Sequence, residues 1–236
     1  MKRILILALL AAFVCSLAGC TSTTSSSSDS TTAATTTTTS AATTAAISGT
    51  PLTAAQLADI DTFLTDADST DNNGFILTTY GRVQDIDLYE ALYELKAGAG
   101  GTFLDLSTPS AELSTVEAAV GSLDNIADEP TKVIKYPRAQ LDAFLIRKIG
   151  IPSADAMANT TMASATAPLG LLYLEAYDAY YLVGCFSNNW IRVEAQNGVI
   201  TADGLWVVSF PRNTDTYTVT LKPTADGYQF VSNVKN

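Results

Sequence analysis

Two groups of carboxylates stand close enough along the chain to act together: Asp85, Asp87 and Glu90, and Glu175 with Asp178. Two carboxyl groups at a suitable separation can hydrolyse a glycosidic bond, one as acid and the other as base or nucleophile. No imidazole is needed for that chemistry, and the 236-residue chain contains no histidine. The absence removes Ser-His-Asp and Cys-His catalysis, His-ligated zinc and the commonest physiological pH switch. Cys185 lies between Gly184 and Phe186 in an apolar run, where a thiol behaves as a small hydrophobe and has no base to activate it. Residues 98–101, "GAGG", lack the strand, lysine and helix that make a phosphate-binding loop. Sequence spacing does not give the carboxylate separation, so no residue is assigned a catalytic role.

Ser69, Asp71, Asn73, Gly74 and Ile76 resemble positions 1, 3, 5, 6 and 8 of an EF-hand loop. Position 12 should be a bidentate glutamate and is Tyr80, so the shell does not close. The stretch "DSTDNNGF" reads instead as a helix-terminating turn, with no metal. A binding surface is the remaining possibility. Tyr177, Tyr180 and Tyr181, with Trp190 and Trp206 in the strands that follow, concentrate ring area that can stack on sugars or on a protein segment. Successive strand residues face opposite ways, so part of this set is expected in the core and only one strand face is expected to bind.

The elements that must position these groups follow from local pattern. Thr53 and Gln56 form a capping box ahead of Leu57, Ile60 and Leu64, predicting a helix over residues 54–66. "FILTTY" reads as extended. Asp85 then caps a helix whose apolar residues are Ile86, Leu88, Tyr89, Leu92, Tyr93 and Leu95. A third helix follows Pro109, with Leu113, Val116, Val120 and Leu123 on one side, and residues 131–135 are a short extended piece. Pro137 opens a fourth helix with Leu141, Phe144, Leu145 and Ile149 inward, stopped by Gly150. Beyond residue 170 the period becomes two. "LLYLEAYDAYYLVGCF", "WIRVEA", "LWVVSF", "TYTVTL" and "YQFVSN" read as strands, with tight turns at Asn197-Gly198 and Asp203-Gly204. Helices first and strands afterwards predict an α+β fold, the helices packed on one face of an antiparallel meander.

The chain opens with Lys2 and Arg3, an apolar run over residues 4–14, and small residues at Ser16, Ala18 and Gly19. This is the layout of a secretory signal peptide, and it is too short to span a membrane. Leu17-Ala18-Gly19-Cys20 resembles the lipobox of bacterial lipoproteins. The resemblance implies cleavage before Cys20 and a diacylglyceryl thioether on its sulfur. Two acyl chains, at about 0.8 kcal/mol per buried methylene, give stable anchoring where one is marginal. Residues 21–50 are almost wholly Ser, Thr and Ala. They have no apolar period to offset ordering and read as a disordered tether with an r.m.s. reach of about 30 Å. Residues 51–236 remain for one globular domain.

The formal charge is −11; without Lys2 and Arg3 it is 11 basic against 24 acidic residues, or −13. Such a surface repels nucleic acid. Of three cysteines, only Cys185 stays in the domain, so no internal disulfide forms. The stretches "GFILTTYGRVQDIDLYEALYEL", "PRAQLDAFLIRKIGI", "YLEAYDAYY" and "VTLKPTADGYQFVSN" are similar to uncharacterised lipoproteins of Gram-positive, clostridia-like bacteria. That resemblance implies location and fold and transfers no catalytic residue. The expectation is a membrane-anchored extracytoplasmic binding module without cofactor, whose partner is an envelope component, a glycan or a protein. The alternative is a histidine-free carboxylate hydrolase acting on envelope glycans.

Overall fold

A computed structural model describes residues 48–65, 70–95, 99–123, 132–184 and 193–236. The signal peptide, Cys20, most of the tether, Cys185 and Trp190 lie outside the described residues. The fold is α+β, with the helices gathered ahead of most of the strands. Its strands form two antiparallel sheets rather than one.

The first sheet runs, in spatial order, β1 (Thr50–Pro51), β6 (Asn197–Ile200), β7 (Trp206–Arg212), β8 (Asp215–Thr224) and β9 (Gly227–Lys235). The second runs β2 (Thr102–Phe103), β3 (Lys132–Pro137), β5 (Ala179–Gly184) and β4 (Gly170–Leu174). The run read as continuous strand from residue 171 is therefore a hairpin. It reverses through a 3-10 turn at Glu175–Tyr177 and a left-handed Asp178. Every residue of β5 is buried. Tyr180 and Leu182, paired with Tyr136 and Ile134 of β3, enter a large core shared with the helices and the first sheet. Ala179, Tyr181 and Val183 enter a smaller core on the other face. A strand covered on both faces loses its alternation and becomes a continuous apolar run, which is how "AYYLVG" reads.

Five helices are present among the described residues. α1 (Ala54–Thr65) starts at the expected box: the Thr53 amide donates to Gln56 Oε1 at 2.9 Å and the Gln56 amide to Thr53 Oγ1 at 3.3 Å. α4 (Ala111–Val120), capped by Ser110, covers the smaller core with Leu113, Val116 and Val120. α5 (Arg138–Ile149) ends at a left-handed Gly150, as its sequence predicts. Between them, α2 (Thr70–Leu77) and α3 (Leu88–Leu95) form a tight pair.

α2 is a correction to the sequence reading, because Phe75, Ile76 and Leu77 are helical and not extended. Gly74 explains the helix: a Cβ there would lie 2.0 Å from the Ala91 carbonyl oxygen of α3. The glycine serves close helix–helix approach and not a ligand loop. Phe75 stacks between Phe144 at 6.0 Å and Phe230 at 5.3 Å, fixing α2 to α5 and β9. Its burial, about 3–5 kcal/mol lost on truncation to alanine, outweighs the small helix-propensity cost of Asn and aromatic residues. Asn197-Gly198 is also corrected. It forms part of β6, and a Cβ on Gly198 would meet Leu52 Cδ1 at 2.6 Å. The Asp203-Gly204 turn is present, with Gly204 at φ +80°.

Candidate functional site

Three of the carboxylates nominated by sequence, Asp85, Asp87 and Asp178, are engaged by protein partners. Asp85 sits opposite Arg82, with contacts of 2.7 and 2.8 Å. That hydrogen-bonded pair holds the Asp85 carboxyl below its usual range and raises Arg82. The cap of α3 is Asp87, not Asp85. Its Oδ1 accepts from the amides of Tyr89 (2.9 Å), Glu90 (3.4 Å) and Thr161 (3.1 Å), and its Oδ2 from the Thr161 hydroxyl (2.6 Å). Asp178 accepts from the Tyr173 hydroxyl at 2.8 Å and pairs with Arg138 at 3.1 Å. Glu175 is exposed in the hairpin turn. Asp71 pairs with Arg147 from the surface of α2 while Asn73 is buried in the same helix, so the resemblance to a calcium loop ends with the backbone. Among the described residues no three metal-ligating side chains of the His, Cys, Asp or Glu type converge.

The aromatic candidates divide. Tyr180 (5% exposed) and Tyr181 (0%) lie on opposite faces of β5, and neither offers a ring to solvent. Tyr181 donates to Glu112 Oε1, which also takes the Lys135 ammonium at 2.6 Å. Burial and this bond push the Tyr181 phenol up. Burial opposes ionisation of Glu112, but the bonds from Lys135 and Tyr181 prevail and hold its carboxyl low. Tyr177 packs edge-on against Tyr181 at 6.4 Å and lies beneath Lys135 at 5.7 Å, and its hydroxyl lies 3.4 Å from that of Thr115, which ties α4 to the sheet. Tyr180 packs on Tyr173 and meets the Ser153 hydroxyl at 3.1 Å; Ser153 in turn donates to Asp142. Trp206 is half-buried and packs at a tilt on Tyr228, with centroids 5.3 Å apart, and Tyr228 continues to Phe63 at 5.1 Å. These rings close the end of the core. The expected aromatic platform does not assemble from Tyr177, Tyr180, Tyr181 and Trp206.

A different group does assemble, where α2 ends beside α3. Leu77 and Thr78, Tyr89 and Tyr93, Glu90 and Glu94, and Leu169 line a cavity of about 310 Å³, at the small end of ligand sites. The two ring centroids are 5.8 Å apart and the planes are tilted by 55°. Spacing of four puts Tyr89 above Tyr93 and Glu90 above Glu94 along α3, while Leu88, Ala91, Leu92 and Leu95 hold the helix in the core.

The walls are fixed from behind. A helix leaves its last carbonyls without intrahelical partners. Here Asn233 Nδ2 donates to the carbonyls of Ile76 (2.7 Å) and Thr78 (2.9 Å), and Arg212 to those of Ile76 (3.2 Å) and Leu77 (2.8 Å). Tyr80 and Asn233 exchange backbone bonds of 2.8 and 2.9 Å, so β9 carries the end of α2. At the start of α3, the Leu88 amide donates to the Thr160 hydroxyl at 3.2 Å. Three buried side-chain atoms beside this junction have no hydrogen-bond partner among the described residues: Thr78 Oγ1, Tyr80 Oη and Asn233 Oδ1. Thr78, only 3% exposed, is also part of the cavity wall. Burial raises the Tyr80 phenol well beyond its ordinary value.

A second, wider cleft of about 710 Å³ lies between α5 and β9, with Arg147, Lys148, Asp71 and Asp226 in its lining. Lys148 Nζ donates to Asn72 Oδ1 at 2.7 Å and rests between the Phe63 and Phe144 rings, and burial lowers its basicity. Its charges are mixed and both cations have protein partners. The α3 cavity is thus the better candidate. Its sequence signal is "LYEALYEL", whose tyrosines read as part of the apolar face and whose two glutamates are one turn apart. No protein family, curated protein or solved structure matches the chain.

Proposed function

We propose that this chain is a membrane-anchored extracytoplasmic lipoprotein whose domain binds a small ligand at the cell envelope. The α3 cavity carries the binding part of the reading: two tyrosine rings and two carboxylates converge on a space of ligand size. The anchoring part rests on the apolar run, the LAGC tetrad and the Ser/Thr tract of the first fifty residues. No helix among the described residues is long and apolar enough to cross a membrane, which is compatible with a lipid anchor. A carboxylate hydrolase has less support, because Asp85, Asp87 and Asp178 already serve an ion pair, a helix cap and a hairpin.

The test uses the full chain expressed in a lipoprotein-processing host. Wild type should fractionate with membranes and carry lipid on Cys20, and Cys20→Ala should not. The detergent-solubilised protein should retain a compound from a panel of envelope glycans, peptides and amines, and return it chemically unchanged. Tyr93→Ala should abolish retention without unfolding the domain. A Cys20→Ala protein that partitions as wild type does, or a ligand that ignores Tyr93→Ala, would refute the corresponding half of the proposal.

A further inference from the structure

We infer that Lys148 and Asn72 are the two ends of an intramolecular isopeptide bond, closed by the domain itself, which joins the last turn of α5 to the first turn of α2. The inference goes beyond the binding-module reading and does not draw on the α3 cavity.

Distance is the first argument. Lys148 Nζ stands 2.7 Å from Asn72 Oδ1. With a C=O bond of about 1.23 Å and approach along a lone pair, Nζ lies about 3.5 Å from the carboxamide carbon. Reacting atoms in a near-attack arrangement are about 3–3.5 Å apart. The other end of the carboxamide is held as well, since Asn72 Nδ2 donates to the Phe63 carbonyl at 2.5 Å and Asn72 is buried. The amide therefore cannot turn away from the amine.

The setting of the amine is the second argument. An ammonium drawn out of water is normally matched by a carboxylate. Lys148 belongs to no ion pair among the described residues, and its hydrogen-bond partner is a neutral amide. Its nitrogen lies 5.8 Å from the centre of the Phe63 ring and 6.0 Å from that of Phe144. Desolvation by apolar surroundings, or a neighbouring second cation, is what turns a lysine into a nucleophile. Burial lowers the basicity of Lys148, Asp71 opposes that and Arg147 adds to it. Asp226 is the remaining charged residue in the lining of the cleft.

The step is balanced without a co-reactant. The neutral amine attacks Asn72 Cγ, the Nζ–Cγ bond forms and the Cγ–Nδ2 bond breaks. One proton passes from Nζ to the departing nitrogen, which leaves as ammonia, and nothing is oxidised or reduced. Asp71 precedes Asn72 in the chain and is only loosely paired with Arg147, at 3.7 Å. It is the carboxylate available to carry the proton. The cleft of about 710 Å³ whose lining includes Lys148 gives ammonia a way out. A neutral amide then stands where a partly desolvated charge stood, which removes the cost of holding that charge.

Peptide mapping of the full-length, detergent-solubilised chain by mass spectrometry is the test. The expected product is a branched species, the Lys148 and Asn72 peptides joined and lighter than their sum by one ammonia. On a denaturing gel the chain, closed between positions 76 residues apart, should run ahead of Lys148→Arg. Lys148→Arg and Asn72→Ala should be wholly linear and melt at a lower temperature, because a cross-link restrains the unfolded chain. Asp71→Asn keeps both reacting groups. It should be harvested largely linear and close on incubation, at a rate that rises with pH and levels off below the ordinary lysine value of about 10.4. Wild type whose Lys148 and Asn72 are recovered on separate, unmodified peptides, even after incubation at alkaline pH, would overturn the inference, and that map needs no variant to fold. Lys148 joined to any residue other than Asn72 would overturn it too. Asp71→Asn harvested as fully closed as wild type would remove Asp71 from the step.

Discussion

Gly74→Ala tests whether the α2–α3 seam is built as described. In an isolated helix the change would help, since alanine is favoured over glycine by about 1 kcal/mol. Here the new Cβ would lie 2.0 Å from the Ala91 carbonyl oxygen, 2.8 Å from its carbon and 3.0 Å from Leu95 Cγ. An ordinary carbon–oxygen contact is about 3.3 Å, so the helices must part by roughly an ångström. The obstructing atoms are mainly backbone and cannot swing aside. Overpacking costs about 1–3 kcal/mol, and rigid backbone argues for the upper end. Set against the propensity gain, the net is about 2 kcal/mol of destabilisation. For a domain of this size that is a fall of about 4–8 °C in Tm. Gly81→Ala is the control, since nothing lies within 4 Å of its Cβ and its φ is not left-handed. It should be neutral or stabilising by up to about 1 kcal/mol. Urea and thermal unfolding of the two variants beside wild type suffice. A Gly74→Ala protein as stable as Gly81→Ala would refute the seam, and with it the positioning of Tyr89 and Tyr93 against the end of α2.

Tyr80→Phe should stabilise the domain by about 1 kcal/mol, because the buried phenol oxygen has no partner among the described residues to lose. The backbone exchange with Asn233 is untouched, so a loss of stability would mean that the hydroxyl is bonded. Glu112→Gln should show a pH signature. The Glu112 carboxyl is held low in the folded state, so its contribution is fully present above the ordinary carboxylate value of about 4 and is lost as pH falls through the lowered folded one. The stability gap between wild type and variant should therefore be widest at neutral pH and shrink in acid; a gap independent of pH in urea titrations would contradict the network.

What could be read without coordinates was local. Thr53 with Gln56, the period of three and four after Pro109, and Gly150 mark helices through contacts within one or two turns, and the helices are there. α2 escaped because Asn72, Asn73 and Gly74 are turn formers when taken alone. Only Ala91, on the next helix, explains why glycine stands at position 74. The cap of α3 moved from Asp85 to Asp87 for the same kind of reason, since Thr161, 74 residues away, completes the shell of Asp87. "AYYLVG" had a readable clue, its unbroken apolar run, which implies cover on both faces and a second layer of helix. The cavity was legible in part. Four-residue spacing pairs Tyr89 with Tyr93 and Glu90 with Glu94, but Leu169 and the buried Thr78 join them only through the fold.

β1 also determines how the domain responds to tension. Whatever holds the chain ahead of Ser48 pulls through a strand of two residues, paired with Ile200 and Val199 of β6. Beyond that pairing, the Leu52 amide bonds the Gly198 carbonyl at 2.9 Å, and the Leu52 side chain fits where Gly198 has none. Load directed outward from the sheet edge opens these bonds one after another, like a zipper. The four longer strands of that sheet and the α2–α3 pair bear no direct load until Leu52 leaves its notch. A tether drawn taut would then lengthen by a few residues and leave one edge of β6 unpaired, with the cavity on α3 still intact.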